Sequence, residues 1–265
     1  MDRPVITLTT DFGLADAYVG TMKGVILSIC PQVALVDLSH QVPSHDVRAG
    51  AFVVAVAAPY FPYGTIHLVV VDPGVGSERR AVAVQTNRCI FVAPDNGVLS
   101  LALAGESPLR AVELADPQYR LPSPSATFHG RDIFAPAAAH LARGASLADF
   151  GPPVTNLVSL SWPHPEPQQD GSFLVRVLYV DRFGNIVLNF RPEDVDGWPG
   201  GQATFEVAGR QAVGLHQTFA DVLPGMPVAY VGSSGYVELG VRNGNAAAEW
   251  GIEAGAVVRV DRMTV

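Results

Sequence analysis

The sequence predicts an α/β domain with a mainly parallel or mixed sheet, followed by an all-β, barrel-like domain. Three observations carry that expectation. Up to about residue 147, apolar β-type runs alternate with helix-type stretches, the pattern of a sheet covered on both faces. A proline-rich polar stretch, "GPPVTNLVSLSWPHPEPQQDG", then reads as a linker. Beyond it come short, closely spaced β runs with turn punctuation, which suggest a small barrel or sandwich. The expected domains are 1–160, including the start of the linker, and 172–265.

In chain order, "VITLTT" and "VALVDLS" read as strands on either side of a helix between Asp16 and Cys30. "DVRAGAFVVAVAA" is a second helix leading into the strand "TIHLVVVD". "AVAVQT" and "CIFVAP" read as a hairpin-linked pair, which makes the sheet mixed. "DIFAPAAAHLARG" is the last helix of this domain. Its Pro136 falls in the first turn, where a missing N–H is tolerated, and Gly144 supplies the C-terminal stop. In the second domain "FLVRVLYVD", "NIVLNF", "QATFEVAG", "MPVAYVG", "YVELGVRN" and "AVVRVDR" read as strands.

Composition narrows the function. The 265 residues are 48% hydrophobic and 16% charged, with a formal net charge of -8; mean hydropathy is +0.24. Such a chain builds a substantial core. An acidic chain with no basic stretch makes a poor binder of nucleic acid or anionic membrane. The longest apolar run, "AFVVAVAA", stops at Pro59 and is too short to span a bilayer. The opening "MDRPVITLTT" reads as neither a signal nor a transit peptide. Two cysteines, Cys30 and Cys89, cannot make a disulfide framework, so a reducing cytoplasm is the expected compartment. The expected partner is a small molecule or another subunit.

Several segments break local structural rules together, as functional sites do. "TTDFG" ends the first strand on Asp11, and "VDPGVGSERR" ends another on Asp72. Ligands of parallel α/β sheets bind at the carboxyl ends of strands. If these two strands are parallel, both acids emerge on one rim. Asp11 is then placed to take the two hydroxyls of a ribose, or else to cap the next helix. Gly74 and Gly76 leave room for a ligand against backbone. Arg79 can fold back to pair with Asp72 and hold its carboxylate ionised and fixed in direction. The plainer alternative is a surface turn with solvated ends. "TFHGRDIFAP" puts His129 between Phe128 and Gly130 at a helix entry, where a polar ligand atom is welcome. "APDNG" reads as backbone architecture.

In the second domain, "DRFGN" (181 to 185), "QTFAD" (217 to 221) and "GSSGY" (232 to 236) set aromatics beside small polar groups. A purine platform needs that combination, although each is also ordinary turn composition. "GSSGY" does not fit the nucleophile elbow G-x-S-x-G. The seven histidines show no metal-ligand spacing, and no metal is expected.

Taken together, "TLTTDFG", "YVGTMKG", "DLSH", "GTIHLVVVDPGVGSERR", "APDNG", "TFHGRDIFAPAA", "DRFGNIVLN", "GSSGYVEL" and "RNGNAA" resemble, nearly end to end, the S-adenosyl-L-methionine (SAM) hydroxide adenosyltransferases. These adenosine-forming SAM hydrolases are related to the fluorinase and chlorinase. The resemblance implies hydrolysis of SAM to adenosine and L-methionine, with SAM as substrate and no further cofactor. It implies an Asp-Arg-His set on Asp72, Arg79 and His129 and ribose binding at Asp11. It also implies substrate contacts at Phe128, Gly130, Asp181, Phe183, Asn185, Phe219, Ser233 and Ser234. It implies a homotrimer whose sites lie between one subunit's first domain and its neighbour's second. In the halogenases the position matching Asp72 is not acidic, and a hydroxyl residue follows the aromatic of the "TFHG" segment. Asp72 and Gly130 therefore point to water as nucleophile. Pairing with Arg79 weakens Asp72 as a base and favours an orienting role for it. His129, if it titrates near neutrality, is then the better proton acceptor. A halide-using transferase and a non-catalytic SAM-binding module are the alternatives.

Overall fold

The computed structural model describes residues 3–104, 110–194 and 203–262. It divides into two compact units, Met1–Leu160 and Ser161–Val265. The first unit is built on a six-stranded mixed sheet. Its strands are β1 (Val5–Thr10), β2 (Ala34–Ser39), β3 (Ile66–Val70), β4 (Ala81–Gln85), β5 (Ile90–Pro94) and β6 (Arg110–Glu113). They lie in the order β2-β1-β3-β5-β4-β6. β2, β1, β3 and β5 are mutually parallel, and β4 runs antiparallel to β5 and β6. β1 and β3 are hydrogen-bonded neighbours in register, Thr10 opposite Val70, so the residues that follow them leave the same edge of the sheet.

Strand side chains alternate between faces, and each face of this sheet has its own cover. Ile6, Leu8, Ile66 and Leu68 share a core with Met22 and Ile26 of α1 (Tyr18–Ile29) and with α3 (Ala135–Ala142). The alternate residues Thr7, Thr9, His67 and Val69 are buried as well. On that side lies α2 (Val47–Ala57), whose Gly50 lets the helix approach Val71 and Val98. His67 is a core residue. Its Nδ1 lies 2.8 Å from Thr7 Oγ1 and its ring stacks on Phe91. Burial pushes its pKa down to about 4 and keeps it neutral.

Helix α3 begins and ends as the sequence predicts, with Pro136 in its first turn and Gly144 in the left-handed region just beyond its end. A π-helical turn, Gly130–Phe134, precedes it. Such turns are frequent at functional sites, and this one follows His129 directly.

The stretch read as a linker is tied down in its first half. Arg80 binds both the Asp95 carboxylate, at 2.5 Å, and the Asn156 carbonyl. Val158 and Leu160 donate to Asp95 and Ser100.

The second unit carries a nine-stranded sheet. Its strands are β7 (Glu166–Pro167), β8 (Phe173–Val180), β9 (Ile186–Leu188), β10 (Ala203–Val207), β11 (Arg210–Val213), β12 (Leu215–His216), β13 (Pro227–Val231), β14 (Val237–Val241) and β15 (Val257–Arg262). The order is β11-β10-β15-β8-β9-β14-β13-β12, with β7 on β8. β11 returns against β13, so the sheet curls into a nearly closed barrel around Val175, Ile186, Leu188, Phe205, Leu239 and Val258. The short helix α4 (Ala246–Trp250) packs on β14. Among the described residues, no helix is long and apolar enough to cross a membrane.

Candidate active site

The turn after β3 holds the acid as the sequence suggested. Asp72 stands two residues beyond the strand, and its backbone approach is fixed by Asn96, whose side-chain amide donates to the Val71 carbonyl at 2.9 Å. Arg79 folds back over the glycine turn. Its Nε donates to both Asp72 oxygens, at 2.9 and 3.1 Å, and its Nη2 donates to Oδ2 at 2.5 Å. The side chains are only 10% and 4% exposed, so each charge depends on the other.

The same Nη2 lies 2.8 Å from His129 Nδ1. Asp72, Arg79 and His129 therefore form one hydrogen-bonded unit with arginine as the bridge. A guanidinium has donors and no acceptor, so Nδ1 must be the unprotonated nitrogen of the ring. Burial, and then the Arg79 charge, push the His129 pKa below its ordinary value and keep the ring neutral. A neutral imidazole with Nδ1 as acceptor carries its proton on Nε2. The open face of His129 is thus a donor, which reverses the proton-acceptor role considered from sequence. The lone pairs of this group left open to a ligand are those of Asp72.

The His129 segment is seated by close packing. Gly76 has φ +80°, and a Cβ there would lie 2.6 Å from the Ala126 carbonyl oxygen, so the Asp72 turn and the segment leading to His129 touch backbone to backbone. Gly130 packs among Met22, Phe12 and Phe128. Phe12, Tyr18 and Phe128 make an aromatic cluster with centroids 5.1 to 6.0 Å apart. Phe12 follows Asp11 and Phe128 precedes His129, so this cluster joins the two strand-end segments. Beneath His129, Asp132 is buried, paired with Arg131 at 2.5 Å and accepting the Ser125 N–H.

Asp11 is not a helix cap. α1 has Ala17 at its N-cap position, with no side-chain cap bond. Instead Asp11 Oδ2 accepts the His45 N–H at 2.8 Å, and His45 holds φ +67°. A second clamp adds to it: His40 sits 2.9 Å from Thr10 Oγ1 through Nδ1, and its carbonyl accepts the Gly13 N–H. The loop after β2 thereby fixes the direction of the Asp11 carboxylate, leaving its second oxygen for a ligand.

In the second unit, Asp181 organises its own turn. Oδ1 accepts the N–H groups of Phe183 and Asn185, and Oδ2 accepts the Asn185 amide, each at 2.8 Å. Asn185 and Phe219 converge on Gly240, where a Cβ would lie 2.9 and 2.8 Å from them. Phe183 projects into solvent, 74% exposed. Ser233 and Ser234 sit on the loop between β13 and β14, and the Ser234 hydroxyl is buried without a partner among the described residues. Sequence reading missed one pair here. Tyr230 of β13 and Glu238 of β14 face each other in register, and the tyrosine donates to the carboxyl at 2.6 Å. Burial, and then the charge of Asp181, raise the Glu238 pKa. Glu238 shares a face of β14 with Gly240, which was the available signal. Among the described residues, no group of three or more His, Cys, Asp or Glu side chains could hold a metal ion.

Known proteins match this chain over nearly its whole length. Residues 6–151 match the model of the SAM hydroxide adenosyltransferase N-terminal domain, and residues 175–259 that of its C-terminal domain. An (R)-S-adenosyl-L-methionine hydrolase from Salinispora tropica is 45% identical, with 97% of each chain covered. A fluorinase from Nocardia brasiliensis is 29% identical, again with 97% of each chain covered. The crystal structure of an uncharacterized conserved protein from Thermotoga maritima superposes with a TM-score of 0.89 at 33% identity, covering 97% of this chain and all of that one.

Proposed function

The chain belongs to the SAM hydroxide adenosyltransferase family, and from that premise we propose that it is a SAM hydrolase giving adenosine and L-methionine. The observation that most supports water as the nucleophile is the Arg79 bridge between the Asp72 carboxylate and the His129 ring.

In the proposed reaction, water attacks the ribose C5′ in line with the C5′–S bond, and the bonding pair leaves with sulfur as the neutral thioether of methionine. Positive charge on sulfur disappears as the transition state forms, so a dry pocket penalises the substrate cation more than the products. The water donates one hydrogen to Asp72 and accepts from His129 Nε2, which leaves one lone pair aimed at carbon. A strong base is not required. As the C–O bond forms, the attacking oxygen becomes an oxonium, acidic enough to give its proton to the Asp72 carboxylate. Asp11 takes the ribose hydroxyls. Phe128 and Gly130 line the reacting end, while Asp181, Phe183, Asn185, Phe219, Ser233 and Ser234 hold adenine and methionine. We extend the proposal to a homotrimer that brings the first unit of one subunit to the second unit of its neighbour. A cytoplasmic location, where Cys30 and Cys89 stay reduced, completes it.

Product analysis tests the reaction. With SAM, and with or without excess chloride, the expected products are adenosine and methionine in both cases. A 5′-halogenated nucleoside would make the chain a transferase, and intact SAM would make it a binding module.

The pH profile tests the state of His129. Because its pKa is lowered, the neutral ring persists below the ordinary histidine pKa of about 6.5. kcat/KM should stay level down to that pH and fall only as the ring protonates and loses the Arg79 bond. A His129→Gln variant, slow throughout, should lack this acid limb. An unchanged limb in the variant would assign it to another group.

A further inference from the structure

The loop Gly232–Tyr236 is flanked by one acid and one base. On one side the Glu238 carboxyl packs so closely on Gly232 that a side chain there would overlap it. On the other side lies Arg191, which follows β9. Its guanidinium carbon sits 4.0 Å over the Tyr236 ring, and Nη1 would lie 3.4 Å from a Cβ on Gly235. The Val237 N–H donates to the Phe190 carbonyl at 2.7 Å, so backbone pairing fixes Arg191 beside the loop.

Stacking on Tyr236 accounts for the plane of Arg191 but uses none of its N–H donors. Among the described residues its guanidinium donates no hydrogen bond to another side chain or to backbone. Among the described residues its ion-pair partner is the exposed Glu193, at 3.9 Å, a pairing that contributes little in solvent. Five N–H donors in a planar fork match a carboxylate, and a ring beneath the fork holds it flat. Within this loop the Ser234 hydroxyl is buried without a partner among the described residues, and an unmet buried polar group is costly unless a ligand meets it.

An α-amino-acid head group has one anion and one cation a short distance apart, which is the pattern around this loop. We infer that Arg191 binds the carboxylate of the substrate's amino-acid portion, with the Ser234 hydroxyl as a second donor. The acidic flank formed by Glu238 and Asp181 faces the ammonium. This inference rests on the SAM reading and adds to it the residue that selects an intact amino acid.

The test compares SAM with decarboxylated SAM, which keeps sulfonium and amine but has no carboxylate, in wild type and in Arg191→Met and Arg191→Lys. Removing charge-assisted hydrogen bonds should lower kcat/KM for SAM roughly 10- to 100-fold in Arg191→Met. The loss should lie mainly in KM, because the carboxylate is remote from C5′. Turnover of decarboxylated SAM should change little, which also shows that the variant is folded. Arg191→Lys should recover part of the preference. A ratio between the two substrates that stays at the wild-type value in Arg191→Met overturns the assignment. The wild-type rate on SAM, read in the same experiment, tests the functional reading separately.

Discussion

In Asp72→Asn, turnover of SAM falls by about 10²-fold or more while the protein still binds its substrate. The substitution keeps the shape of the side chain and removes two things. One carboxylate oxygen becomes an amide that confronts the Arg79 donors, and the negative charge that holds the water and compensates the guanidinium is gone. Because these side chains are 4% and 10% exposed, solvent does not replace the lost partner. Leaving one member of a buried pair uncompensated costs about 3 to 5 kcal/mol when the other is deleted, and asparagine, which retains one acceptor, should fall at or below the low end. Single-turnover rates at saturating SAM, with binding measured by calorimetry and stability by urea titration, separate these effects. A wild-type rate would remove Asp72 from the reaction.

Gly76→Ala should reduce turnover by a comparable factor although residue 76 carries no functional group. Its φ of +80° disfavours any side chain, and the new methyl would meet the Ala126 carbonyl oxygen at 2.6 Å. Backbone cannot swing aside like the end of a side chain. Either the Asp72 turn or the segment before His129 must move, and a displacement near 1 Å of a catalytic group is worth about 10²-fold. Gly64→Ala is the control. Gly64 holds φ +82° with nothing within 4 Å of a new Cβ, so it should lose about 1 kcal/mol of stability from the backbone alone and keep its activity. Equal activity in the two variants would show that contact between these segments does not matter.

Much of this arrangement is legible in the residues because strand ends announce themselves. An apolar run stopped by an acid and a glycine, as in "TTDFG" and "VVVDPGVG", reports both the element and its functional end. Parallel pairing of β1 and β3 then brings Asp11 and Asp72 to one rim. β6 was not legible because two of the four residues of "RAVE" are charged and its pairing with β4 is non-local. The π-helical turn after His129 leaves no period in sequence, and its Asp132, buried and paired with the partly exposed Arg131, looks like surface charge. The proton position on His129 depends on which nitrogen meets Arg79, a contact across 50 residues. In the second unit the same limit applies twice. Glu238 reads as the solvent face of a strand until its register with Tyr230 is known. Arg191 and Tyr236 meet only through the sheet.

In the proposed reaction a water held by Asp72 and His129 forms the new bond at C5′. A single turnover of unlabelled SAM in ¹⁸O-enriched water, followed by mass analysis of the nucleoside, tests it directly. The expected result is one ¹⁸O in the 5′-hydroxyl of adenosine, none in methionine, and the same labelling at a much lower rate in Asp72→Asn. Adenosine formed without the label would contradict it.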